Sequence, residues 1–150
     1  MSASHQQSLL ALLHRANQVA AERFADALGD GDMTVRQAQV LAAIDGSEGL
    51  SQTGIVNLTG IDRSTLAEIV KRLARRKLIE RRRTKKDARA YAVKLTEAGR
   101  RELAAAKPAL GSVDKKLLSA IPAQHRADLL AMLATIVAVG EETPSQDGRT

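Results

Sequence analysis

Twelve lysines and arginines fall between Ile61 and Ala90, against four acids, so this stretch carries a net +8 in a chain of net +6. Cationic side chains at that density suit one task above others, replacing the counterions around a phosphate backbone. The cluster has two parts. Arg63, Lys71, Arg72, Arg75, Arg76 and Lys77 lie where apolar residues recur every three to four positions. Arg81, Arg82, Arg83, Lys85, Lys86 and Arg89 crowd around one acid, Asp87, and lead into an alternation of Tyr91, Val93 and Leu95 with Ala92, Lys94 and Thr96. A merely solvated basic face would be more diffuse than this.

The first part reads as a helix with two unlike faces. At about 100° per residue, Leu66, Ile69, Val70 and Leu73 form one dry stripe. Ser64, Ala67, Glu68, Lys71 and Arg75 fall opposite, with Arg72 at the edge. A major groove about 12 Å wide admits one helix whose outward side chains read base edges. Ala67 permits close approach and offers a methyl to thymine. Glu68 has two readings, an acceptor for cytosine N4 or an i,i+4 partner that holds Arg72 for a phosphate. Arg63 and Thr65 flank the face near the helix N-terminus, where base and phosphate contacts are expected. Upstream, Ser51, Gln52 and Thr53 begin a shorter helix. Their hydroxyls, amide and backbone N–H groups suit one phosphate, or Ser51 is an ordinary cap.

The second part reads as a hairpin, with strands at 79–83 and 91–95 joined by the charged loop. Alternation sends Arg81, Arg82 and Arg83 to different sides, so not all three reach one ligand. Lys85 and Lys86 at the tip suit flanking phosphates. Arg89 suits a narrow minor groove, where negative potential is concentrated. Asp87 either pairs with Arg89 and sets its direction or simply forms the turn.

Other chemistries find little support. The chain has no cysteine, which excludes disulfides, thiolate nucleophiles and cysteine zinc sites. His5, His14 and His125 lack metal-ligand spacing, and there is no phosphate loop of the P-loop kind. An enzyme is not expected and no cofactor is implied. One Phe, one Tyr and no Trp leave few platforms for stacking on single-stranded bases. No apolar run approaches the ~18 residues of a membrane span and no signal peptide is visible. A cytoplasmic location without membrane contact is the expectation.

The remaining elements must position the basic faces. Apolar spacing predicts a helix over 6–28, ended by Gly29–Asp32, and another from Thr34, where Thr34 and Gln37 form a capping box. Ser51 caps a helix over 52–58, Gly60 allows a tight turn, and Asp62 caps a helix over about 63–77. Thr96 caps a long helix striped by Leu103, Ala106, Leu110, Val113 and Leu117. Pro108 predicts a kink or break in it. Pro122 suits the first turn of a last helix with the face Leu129/Leu130, Leu133, Ile136/Val137. Residues 141–150 read as a flexible tail. The expected fold is mainly α with a small β-hairpin.

The run Gly49 to Gly99 resembles the winged helix-turn-helix of the MarR family of bacterial transcription regulators. "TGIDRSTL" matches the start of the recognition helix, "RLARRKLIERR" the passage into the wing, and "DARAYAVKLTEAG" the way out. The family pattern D-x-R-(x)3-V-x-L-T is met by Asp87, Arg89, Val93, Leu95 and Thr96. Flanking helices match in order and length, so the likeness spans roughly residues 6–140. Two positions depart from it. Gly54 stands where Glu is common, losing one bond of a capping box at ~1 kcal/mol. Val56 stands where Ala is usual, at a tight helix contact.

This resemblance implies a homodimer. The winged helix-turn-helix, 34–96, would bind a pseudo-palindromic operator in double-stranded DNA, and helices at 6–30 and 97–140 would form the dimerisation region. It also implies repression relieved by a small anionic effector bound between the first, second and post-wing helices. His14, Arg15, Asn17, Phe24 and Met33 are pocket candidates by that location. A small organic acid, a phenolic compound or an acyl-CoA thioester are the effector classes; without cysteine, thiol oxidation is excluded. The rival readings are an architectural or RNA-binding winged helix and a protein-interaction module, and the latter needs no such basic cluster.

Overall fold

The computed structural model describes residues 8–47, 49–83 and 91–141. Its elements are α1 (Leu9–Leu28), α2 (Val35–Asp45), α3 (Gln52–Thr59), α4 (Arg63–Arg75), β1 (Ile79–Arg83), β2 (Tyr91–Leu95), α5 (Glu97–Ser119) and α6 (Arg126–Glu141), with a 3-10 turn at Ala123–His125. This is the mainly helical chain with one hairpin that the sequence predicts.

Local chemistry sets the helix starts. The Thr34 hydroxyl accepts from the Gln37 N–H at 3.1 Å and the Gln37 side chain accepts from the Thr34 N–H at 3.2 Å, a complete capping box. Ser51 accepts from the Gly54 N–H, Asp62 from the Thr65 N–H and Thr96 from the Gly99 N–H, each at 3.0 Å. Each cap satisfies a helix donor that would otherwise lack a partner, and its loss typically costs about 1 kcal/mol. Gly60 ends α3 at φ 69°, in the left-handed region.

The end of α4 is tighter. The Leu78 N–H donates to the Leu73 carbonyl and the Lys77 N–H to that of Ala74, both at 3.0 Å. This is a Schellman ending, which places Lys77 at φ 59°, where glycine is usual. Its strain is offset by what surrounds it. The Thr96 hydroxyl donates to the Lys77 carbonyl at 2.6 Å and the Thr96 N–H to that of Leu78 at 3.0 Å. Gly99 completes the junction, because a Cβ there would collide with the Leu78 carbonyl oxygen.

The strands pair antiparallel from Ile79 opposite Leu95 to Arg83 opposite Tyr91. Leu50 and Ser51 add a short third edge, with the Val93 N–H donating to the Leu50 carbonyl at 2.9 Å. Beneath them Val40, Leu41, Ile55, Leu66, Val70, Leu73, Leu78, Val93 and Leu103 are buried in one core that also takes Phe24 and Met33.

Several expectations change. Gly54 is more than a lost cap bond: Leu50 Cδ1 lies 2.6 Å from where a Cβ would stand, so Leu50 occupies that space. Val56 packs half-buried against the core. Pro108 does not break α5, which runs unbroken from Glu97 to Ser119. Ala104 and Pro108 are both exposed, so water can take the orphaned carbonyl, while buried Leu103, Ala106 and Ala109 hold the helix from inside. The long stripe is also shorter than expected. Val113 is its last buried member, Leu110 is half-buried and Leu117 is exposed. Pro122 precedes the 3-10 turn, not the helix itself.

The chain divides into two units between Val113 and Asp114, within α5. Residues 97–113 therefore fall in the same unit as the winged region. In the second unit α6 has no buried residue; Leu129 is half-buried, and Leu130, Leu133, Ile136 and Val137 are exposed.

Candidate nucleic-acid interface

Helix α4 follows α3 through the Gly60–Asp62 turn, and its two faces separate as predicted. Leu66, Ile69, Val70 and Leu73 are buried. Arg63, Ser64, Ala67, Glu68, Lys71, Arg72 and Arg75 are exposed, and Thr65 is half-buried. Hydrogen bonds from the Thr65 hydroxyl and then the Thr65 N–H hold the Asp62 carboxyl below its ordinary pKa of 3.8, and the charge of Arg36 adds a smaller pull. The cap therefore stays ionised through neutral pH.

Not every base is available. Arg76 is clamped by both carboxylate oxygens of Glu102, at 2.9 and 3.0 Å, which ties the end of α4 to α5. Arg82 pairs with Glu80 at 2.9 Å. Arg83 stands over the ring of Tyr91, its guanidinium carbon 5.8 Å from the centroid. The i,i+4 pair of Glu68 with Arg72 is not among the ion pairs of the described residues. The carboxylate of Glu68 is thus presented to solvent on the same face as Lys71.

Ser51 and Gln52 are half-buried and Thr53 is exposed at the start of α3. Ser51 uses its oxygen on the Gly54 N–H and keeps its hydroxyl proton to donate. Lys85, Lys86, Asp87 and Arg89 lie outside the described residues, as does any pairing of Asp87 with Arg89.

The effector candidates are not brought together. Phe24 and Met33 are core residues, while His14 and Arg15 are exposed on α1. Asn17 opens onto a cleft of about 300 Å³, whose polar lining includes Arg36, Gln39, Thr59 and Asp62. Met33 borders a second cleft of about 280 Å³, beside Asp30, Asp32, Arg76 and Glu102. Arg36 escaped the sequence reading because it lies outside the basic cluster; only its place in the first turn of a capped helix hinted at it. Among the described residues no group of three or more His, Asp or Glu is arranged to hold a metal.

Known proteins with the same arrangement are transcription regulators. Residues 31–90 match the model of the MarR family. The transcriptional regulator HosA of Escherichia coli is 34% identical over 95 residues, covering 63% of this chain and 70% of its own length. The solved structure of the transcriptional repressor CouR bound to a 23-mer DNA duplex is similar at a TM-score of 0.77 and 31% identity, over 91% of this chain and 96% of that one. The regulator PcaV of Streptomyces coelicolor, solved in complex with its natural ligand, gives a TM-score of 0.82 at 26% identity, over 93% of this chain and 99% of its own. The buried and basic faces of α4, the hairpin beside it and these likenesses agree: the chain belongs to the MarR family of winged helix-turn-helix transcriptional regulators.

Proposed function

We propose that this regulator is a repressor that acts in the cytoplasm as a homodimer on a pseudo-palindromic operator in double-stranded DNA. The observation that carries the reading is the exposed face of α4, where Ser64, Glu68, Lys71 and Arg75 stand above a fully buried stripe. Lys71, Glu68 and Ser64 read base edges; Arg63, Thr65, Arg72 and Arg75 flank them on base or backbone. Ser51, Gln52 and Thr53 hold a phosphate at the start of α3. Arg83, Lys85, Lys86 and Arg89 belong to the wing, with Asp87 directing Arg89.

A second copy of the chain is the partner. Leu9, Leu10, Leu12 and Val19 are exposed on α1, Leu10 to 79%. Leu130, Met132, Ile136, Val137 and Val139 are exposed on α6, Val137 and Val139 each to 64%. Monomeric proteins rarely leave so many large apolar side chains in water.

The effector is a small organic acid or phenol in the Asn17 cleft, its anionic group toward Arg36. A cleft of about 300 Å³ sits at the lower end of the usual range for small-molecule sites, which favours these over an acyl-CoA thioester. Ala20, Val35 and Ile61 supply its apolar wall; of the other candidates, His14 and Arg15 stand exposed elsewhere on α1, and Phe24 and Met33 are core residues that do not line it.

Sequencing duplex fragments retained by the purified chain tests the reading. A shared pseudo-palindrome is expected, released by one of the small acids or phenols. Recovery of fragments without a common motif would favour the architectural alternative.

A further inference from the structure

Tyr91 is the single tyrosine of a chain without tryptophan, and the interface above gives it no task. It begins β2 and is 45% exposed. Register sets it directly opposite Arg83. Opposed residues of an antiparallel pair point to one side of the sheet, so ring and guanidinium share a face, 5.8 Å from ring centre to guanidinium carbon. That separation is within cation–π range. The next arginine, on the other face, is held by a different device: Arg82 pairs with the Glu80 carboxylate at 2.9 Å.

The two devices differ chemically. A carboxylate neutralises the guanidinium that it holds and occupies N–H donors that a phosphate would need. An aromatic face attracts the cation through its quadrupole and leaves the in-plane donors, with the charge, for another anion. Arg82 is therefore partly neutralised within the strand, whereas Arg83 is steadied with its charge uncompensated by the ring and its donors still available.

We propose that Tyr91 is a positioning residue whose ring steadies Arg83 at the base of the wing for a contact with a DNA phosphodiester. The inference rests on the reading of the chain as a double-stranded DNA binder. A long side chain loses rotamer freedom when it binds, and the ring removes part of that loss in advance. Because a phosphate contact carries no sequence information, the effect falls equally on all duplexes.

The test uses the full chain, a duplex with the selected operator and a scrambled duplex of equal length. Tyr91→Phe, Tyr91→Leu, Arg83→Ala and the Arg83→Ala/Tyr91→Leu double variant are titrated against both. Tyr91→Phe keeps the ring and should bind within about twofold of the native chain, while Tyr91→Leu should bind about three- to fivefold more weakly on both duplexes. In the Arg83→Ala background, Tyr91→Leu should add nothing. A Phe variant as weak as the Leu variant would overturn the proposal, since the hydroxyl would then be the contact. Undiminished weakening by Tyr91→Leu in the Arg83→Ala background would overturn it too. If Lys71→Ala weakens binding and Tyr91→Leu does not, this inference alone fails. If the native chain binds neither duplex, the DNA-binding reading itself fails.

Discussion

Helices α4 and α6 are similar in length and opposite in design. In α4 the apolar residues fall on one stripe and are buried, while the polar side is exposed and basic. In α6 apolar residues go round the helix, and none is buried within the chain. An amphipathic helix finds its dry partner in its own domain and keeps one face for a ligand. A helix apolar on most sides leaves its hydrophobic demand unmet until something outside the chain covers it. On the function proposed above, the first recognises a polar polymer and the second meets a second copy.

Substitutions can break this contrast, most severely in the core. Leu66→Ala removes a side chain that is 1% exposed beneath the reading face. It should lower unfolding free energy by about 2–5 kcal/mol, measured in denaturant. The double change Leu130→Glu/Val137→Glu alters only exposed residues of α6. It should yield a native mass of one chain and, by loss of the second half-site, weaken operator binding about 100-fold or more. An unchanged mass would remove α6 from the dimer. Lys71→Ala should cost about 1–3 kcal/mol on the operator and relax the preference at one base pair. Equal loss on every sequence would demote Lys71 to a phosphate contact. The mildest change is Lys77→Gly at φ 59°. Relief of left-handed strain should raise stability by up to about 1 kcal/mol, visible as a higher Tm with unchanged affinity.

What could be read from sequence depended on the distance over which each feature is decided. The caps at Thr34, Ser51, Asp62 and Thr96 were legible because donor and acceptor lie three residues apart. The faces of α4 were legible because helical period alone sorts them. The Arg76–Glu102 clamp was not, since its partners are 26 residues apart and meet only when α4 and α5 pack. Leu50 filling the space beside Gly54 depends on one rotamer, which periodicity does not carry. Pro108 does not break α5 because it lies on the exposed side, where the carbonyl it leaves without a partner is open to solvent. The Arg83–Tyr91 contact lay between. Strand limits were read correctly, and counting the register inward from Ile79 and Leu95 would have paired them.

The central claim is that the exposed face of α4 reads base pairs and does more than neutralise phosphate. Its most direct test is a titration of the purified chain against its selected operator and a scrambled duplex of equal length, at physiological salt. The account predicts an affinity ratio of about 10³ or more, which falls when Lys71 is replaced by alanine. A ratio near one, unchanged by that substitution, would contradict it.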